Sequence, residues 1–218
     1  MYPETVLFDL DGTLLDTAPD FVLVLNALRR EYDLTPLPDE QIRNTVSNGA
    51  RALVTLGFGI NEGDEGFEIY REKLLSAYLS QLGQASRLFP GMNDLLSALE
   101  EKNIPWGIVT NKPSRFTIPL LETLSLSKRC NALVCADQVT KPKPHPESLF
   151  KACDIVNAKP QNSIYVGDHR RDIEAGHSAR MTTIAALFGY ISENDTPESW
   201  QATYQANSAA DIHKLIFG

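Results

Sequence analysis

The stretch Val6-Leu7-Phe8-Asp9-Leu10-Asp11-Gly12-Thr13 decides how the rest of this chain is read. Val6, Leu7 and Phe8 form a short uninterrupted apolar run, the pattern of a fully buried strand. Two carboxylates two residues apart at a strand end project to the same side. Gly12 and Thr13 then break the strand and turn the chain. Two acids held this close do not both ionise cheaply unless positive charge sits beside them. A hard divalent cation such as Mg²⁺, liganded by a carboxylate, a backbone carbonyl and water, meets that need. The pair would then set a nucleophilic carboxylate beside a Lewis acid, with a second carboxyl group ready for proton transfer. Taken alone, an Asp-x-Asp is equally a strand end whose acids are solvated or cap the next turn.

Working outward, the 218 residues are 43% hydrophobic and 22% charged, ordinary for a globular chain able to bury a sizeable core. A net charge of −8 excludes a general nucleic-acid binder, which needs a basic face. It also means that an anionic substrate must be attracted locally, by a metal, a lysine and backbone N–H groups. No stretch approaches the ~20 apolar residues of a membrane span, and no basic-then-apolar leader opens the chain, so no membrane partner and a cytoplasmic location are expected. Cys130, Cys135 and Cys153 have no paired spacing and read as reduced structural thiols. None is followed by an arginine six residues on, which removes cysteine-nucleophile phosphatases from consideration.

From about Phe89 the segments alternate between strand and helix, the signature of a parallel sheet covered on both faces. The strands are expected at Val6 to Phe8, Trp106 to Val109, Ala132 to Cys135, Ser163 to Val166 and Thr182 to Ala185. Helices are expected near Gly91 to Lys102, Pro113 to Leu124, Pro146 to Cys153, Asp172 to Ala179 and Ala209 to Ile216. Residues 17–83 break the alternation. Phe21, Leu25, Leu28 and Tyr32 make an apolar stripe at helical spacing, and Asp39 to Ile42, Gly49 to Leu56 and Glu68 to Leu82 read as further helices. The fold class is therefore α/β: a doubly wound parallel sheet formed by 1–16 and 84–218, with an all-helical block at 17–83. That block is either a separate small domain or a helical layer on one sheet face.

Asp9-Leu10-Asp11-Gly12-Thr13 resembles the first motif of the haloacid dehalogenase-like superfamily, and three further motifs of that family follow in order. Trp106-Gly107-Ile108-Val109-Thr110-Asn111 resembles the second, a buried strand ending in a hydroxyl residue. Lys143-Pro144-His145-Pro146 resembles the third, a lysine in a Pro-rich turn before a helix; Lys141 occupies an identical Lys-Pro dipeptide, but the residues after Lys143 fit the spacing better. Ile164-Tyr165-Val166-Gly167-Asp168 with Asp172 resembles the fourth. The resemblance implies a Rossmann-like core, a helical cap at 17–83 and a small phosphorylated metabolite as partner, in a monomer or homodimer. It implies Asp9 as nucleophile, Asp11 as proton donor, and Mg²⁺ held by Asp9, the Asp11 backbone carbonyl and Asp168. Thr110 and Lys143 would bind phosphoryl oxygens, Asp172 would position Lys143, and Asn111 would add a polar contact. Lys112 is as readily exposed as not, and His169, Arg170 and Arg171 read as surface groups.

An acid at position 11 distinguishes this chain from dehalogenases and phosphonate hydrolases, which lack it. Ser47-Asn48-Gly49-Ala50-Arg51 resembles a cap segment of phosphoglycolate phosphatases and, more closely, of bacterial N-acetylmuramic acid 6-phosphate phosphatases. On that resemblance Ser47, Asn48 and Gly49 line the substrate site and Arg51 meets a substrate carboxylate; the alternative is a plain helix–helix turn with Arg51 in solvent. A phosphosugar mutase of the β-phosphoglucomutase type would share the fold, the first acid pair and the cap. A phosphoaspartate receiver module is about half as long and carries its acceptor at the third strand.

Overall fold

The structure, a computed structural model, describes residues 2–191 and 195–218. Six parallel strands form the sheet in the order β5-β4-β1-β6-β7-β8, with β1 Val6–Phe8, β4 Trp106–Val109, β5 Ala132–Val134, β6 Ile164–Gly167, β7 Thr182–Ala186 and β8 Tyr204–Ala206. The chain builds outward from β1 through β4 to β5, then returns to the other side of β1. That reversal makes the C-terminal edge of β1 the crevice where doubly wound sheets bind ligands. Register puts Phe8 level with Ile108 on one side and Val166 on the other, so residues 9, 110 and 168 leave the sheet close together.

Every β1 residue is fully buried because helices cover both faces. Successive side chains alternate between two cores: Val6 and Phe8 pack with Trp106, Ile108 and Val166, whereas Leu7 packs with Val109, Val134 and Tyr165. The flanking helices are α5 Met92–Glu101, α6 Ser114–Thr123, α7 Glu147–Ile155, α8 Arg170–Ser178 and α9 Ala209–Phe217. Pro113 and Pro146 sit at helix N-caps, where no helical hydrogen bond needs their missing N–H.

Three strands go beyond the sequence expectation. β2 Leu15–Asp16 and β3 Arg87–Leu88 pair antiparallel where the chain leaves and re-enters the sheet domain, and β8 adds a sixth strand. None of the three carries a strand pattern of its own; long-range pairing makes them strands. Between β2 and β3 the chain forms four α-helices: α1 Ala18–Glu31, α2 Asp39–Arg43, α3 Gly49–Phe58 and α4 Phe67–Gln81.

Both crossings are tied down rather than loose. The buried Asp20 carboxylate accepts hydrogen bonds from the N–H groups of Gly83 (2.7 Å), Ala85 (2.6 Å) and Ser86 (3.2 Å) and from the Ser86 hydroxyl (2.6 Å). On the other crossing the Tyr190 phenol accepts from the Thr17 and Ala18 N–H groups at 2.6 and 2.8 Å and donates to Asp16 at 2.7 Å. Cys130, Cys135 and Cys153 are free thiols, and burial pushes Cys130 and Cys153 up to about 11. Among the described residues no helix is long and apolar enough to cross a membrane.

Candidate active site

Asp9 is the first residue beyond β1 and is buried. Its Oδ1 accepts from the Leu10 N–H at 2.7 Å and from Lys143 Nζ at 2.8 Å. Burial raises the Asp9 carboxyl above the usual carboxylate value; Lys143 pulls it back and Asp172 pushes it further up. Lys143 lies in the turn before α7, with a side chain 1% exposed. Its ammonium also meets Asp172 Oδ1 at 2.8 Å, the Tyr165 hydroxyl at 2.8 Å and the Val109 carbonyl at 3.0 Å. Burial works against its charge, yet Asp172 and Asp9 hold its pKa above the ordinary ammonium value. Lys141, by contrast, is exposed.

Asp11 turns the other way. Its Oδ1 meets Lys112 Nζ at 2.9 Å and the Thr17 hydroxyl at 2.5 Å. Lys112 is therefore not in solvent: its side chain is 7% exposed, with the ammonium 4.8 Å from the Tyr78 ring centroid and 5.2 Å from that of Phe21. Those rings come from α4 and α1 and stack on each other at 4.0 Å, so the helical segment reaches the Asp11 side of the site. Nothing in the local sequence announces this, because the partners lie far away along the chain.

Thr110 follows β4 and is buried, its hydroxyl accepting from the Lys112 N–H at 3.1 Å. Asn111 comes next along the chain. It lines the cavity, and its amide donates to the Lys143 carbonyl at 2.9 Å and accepts from the Lys143 N–H at 3.1 Å, so it also fixes the lysine's backbone. Arg51 lies at the cavity rim, its side chain 59% exposed and paired with Glu62 at 2.5 Å. Ser47, Asn48 and Gly49 line the same cavity, at the entry to α3.

Asp168 follows β6 and is held by neutral donors alone: the Thr13 hydroxyl at 2.9 Å and the Tyr190 N–H at 2.8 Å. Gly12 permits the close fit. It has φ +86°, and a Cβ there would come within 2.1 Å of an Asp168 oxygen. Asp9, Asp168 and Asp172 offer carboxylate oxygens within 4.8 Å of one another. Burial, with Asp9 and Asp172 alongside, raises the Asp168 carboxyl far above its ordinary value. Lys143 answers Asp9 and Asp172, but no cationic side chain among the described residues pairs with Asp168. A buried carboxylate facing a second one, without a cation of its own, is an arrangement able to hold a divalent metal ion. Asp172 is already held by Lys143 and by the His169 N–H at 3.0 Å, which suits it to orienting Lys143.

His169 is half-buried: it caps α8 by accepting from the Arg171 N–H and stacks on Trp200, and burial and Arg171 lower its pKa. Arg170 is exposed, as expected. Arg171 is half-buried; it lines the cavity and donates through Nη2 to the Ser47 carbonyl at 2.7 Å. The cavity itself is about 410 Å³, between the strand ends and the helical segment.

A family model described as haloacid dehalogenase-like hydrolase matches residues 6–186, a span holding all of these groups except Tyr190 and Trp200. The chain belongs to the haloacid dehalogenase-like hydrolase family. It is 42% identical over 213 residues to an N-acetylmuramic acid 6-phosphate phosphatase of Pseudomonas putida, covering 98% of this chain and 96% of that protein. It is 40% identical over 201 residues to a phosphoglycolate phosphatase of Xanthomonas campestris pv. campestris, covering 92% and 90%. Among solved structures, a predicted phosphoglycolate phosphatase from Haemophilus somnus superposes with a TM-score of 0.85 at 25% identity over 97% of each chain.

Proposed function

We propose that this haloacid dehalogenase-like hydrolase is a divalent-cation-dependent phosphomonoesterase whose substrate is N-acetylmuramic acid 6-phosphate, with residues 17–83 acting as its cap. The cavity carries the reading. At about 410 Å³ it falls in the range of small-molecule sites, and its walls combine apolar side chains (Phe21, Val46, Tyr78, Phe116) with several cations. Phosphoglycolate, a two-carbon acid, would leave most of that space to water. An N-acetylated sugar with a lactyl carboxylate offers apolar surface for the rings and an anion for the cations.

In this reading the Asp9 carboxylate attacks phosphorus in line and the bond to the sugar oxygen breaks. Asp11, oriented by Lys112 and Thr17 and entering the step in its protonated form, gives that oxygen its proton and is reprotonated by the water that hydrolyses the aspartyl phosphate. Lys143 and Thr110 hold phosphoryl oxygens, with Asn111 and Asp172 keeping the lysine in place. A divalent cation, Mg²⁺ by the oxygen donor set, would sit on Asp9, Asp168 and the Asp11 backbone carbonyl and neutralise charge developing on the phosphoryl group. The helical segment, by covering Asp11, would exclude bulk water during the first step.

The test is phosphate release from N-acetylmuramic acid 6-phosphate and phosphoglycolate measured side by side. A kcat/KM higher for the sugar acid is expected; a clear preference for phosphoglycolate would overturn the substrate. Conversion of phosphosugars between isomers without free phosphate would indicate a mutase instead.

A further inference from the structure

Five cationic side chains line the cavity, and three of them already have acidic partners. Arg51 pairs with Glu62 at 2.5 Å, Arg71 with Glu68 at 2.6 Å and Lys112 with Asp11 at 2.9 Å. Among the described residues Arg115 and Arg171 pair with no acid. Arg115 is exposed and lies over the Phe116 ring, 4.6 Å from its centroid.

Arg171 is built differently. It stands in the first turn of α8, three residues beyond Asp168, and its Nη2 is anchored to the Ser47 carbonyl at 2.7 Å. Its Nε is buried and has no hydrogen-bond partner. A buried guanidinium N–H without an acceptor is costly, and an anionic oxygen is the acceptor that this fork geometry suits best. The phosphoryl oxygens already have Lys143 and Thr110. The anchor on Ser47 places Arg171 against the helical segment, the side of the cavity that a leaving group occupies.

We propose that Arg171 is the specificity-determining residue that receives the carboxylate of the leaving group, in place of Arg51 at the rim. The inference rests on the phosphosugar-acid reading above, since it needs a substrate with a second anion. Arg171 then does two things at once: it docks the Ser47 loop on the core and offers the guanidinium N–H groups not used there to the substrate. A carboxylated substrate would thereby bridge the core helix and the helical segment, while a neutral sugar phosphate would leave Nε unpaired.

A matched pair of probes isolates the carboxylate: N-acetylmuramic acid 6-phosphate and N-acetylglucosamine 6-phosphate differ only in the lactyl ether. The ratio of their kcat/KM values is measured for the full chain with Mg²⁺ and for Arg171→Met, Arg171→Lys, Arg51→Ala and Arg115→Ala. Arg171→Met is expected to cut the ratio by about 10–100-fold, the size of a charge-assisted hydrogen-bonded pair. Arg171→Lys, which keeps the charge without the fork, should recover part of it. Arg51→Ala should move the ratio far less. Equal losses on both sugars would overturn the proposal, because Arg171 would then only hold the Ser47 loop. So would an unchanged ratio, or a fall confined to Arg115→Ala. If the unmodified chain hydrolyses neither sugar, the substrate reading fails by itself. The same variants are then compared on phosphoglycolate against ethyl phosphate, where the selectivity for the acid must again depend on Arg171.

Discussion

Lys143→Met would remove the cation on which the acidic cluster depends while keeping most of the buried stem. Lys143 lies 2.8 Å from both Asp9 and Asp172, and Asp168 stands within 4.8 Å of those acids. Stranding buried charge by removing one partner costs about 3–5 kcal/mol. Losing the hydrogen bond to the Val109 carbonyl adds little, because the Tyr165 hydroxyl also donates there at 2.9 Å. Against a typical domain stability of roughly 5–15 kcal/mol, this should lower the urea midpoint of the metal-free protein by about 1–2 M. The loss should also depend on pH in a definite sense. The raised Lys143 pKa lies far above neutrality, so its own contribution is fully present across pH 5–9. Asp9 is raised in the folded chain, so protonation favours the fold at low pH, and that help disappears as pH rises through its folded value. The decrement should therefore be smaller at pH 5 than at pH 8. Urea unfolding of the unmodified chain, Lys143→Met and Lys141→Ala, at both pH values with a chelator present, measures it. A decrement equal at both pH values, or a larger effect from the exposed Lys141, would refute the reasoning.

Mg²⁺ at about 100 times its dissociation constant should add ~2.7 kcal/mol, a rise of roughly 5–10 °C in Tm, larger at pH 8 than at pH 6 because protons compete for the raised Asp9 and Asp168 carboxyls. Asp168→Asn should abolish that rise in a thermal unfolding assay; an undiminished rise would remove Asp168 from the metal site. Asp20→Ala leaves three backbone N–H groups and a hydroxyl without their acceptor, and should cost about 3–5 kcal/mol and speed proteolysis near residues 83–86. A cost below about 1 kcal/mol would show that this clasp is dispensable. Lys112→Met frees Asp11 from its ion pair, and should lower kcat about tenfold or more on an alkyl phosphate while costing less on p-nitrophenyl phosphate, whose leaving group needs no proton. Equal losses on the two would argue against Lys112 acting through the acid.

Val6 to Phe8 and Trp106 to Val109 are legible in the sequence because strands buried on both faces are apolar without interruption. Tyr204–Ala206 is not, since an edge strand with two exposed residues takes its conformation from β7 rather than from its own composition. The same logic divides the site. Asp9, Asp11, Thr110 and Asp168 follow recognisable strands, and the parallel register brings their backbones to one edge. The environments of Lys112, Arg171 and Tyr190 depend on partners far along the chain: Tyr78 of α4, Ser47 ahead of α3, and Thr17 and Asp168. Arg51 shows the converse. A motif likeness offers it as a carboxylate ligand, but the fold supplies Glu62 as its partner.

Asp9 acting as a nucleophile requires two in-line displacements at phosphorus for each turnover. Hydrolysis of a phosphorothioate monoester made chiral with oxygen isotopes, run in isotopically labelled water, reports the number of displacements without requiring any species to accumulate. Overall retention of configuration in the released thiophosphate is the predicted result. Inversion would mean that water attacks the substrate directly, and would contradict the role assigned to Asp9.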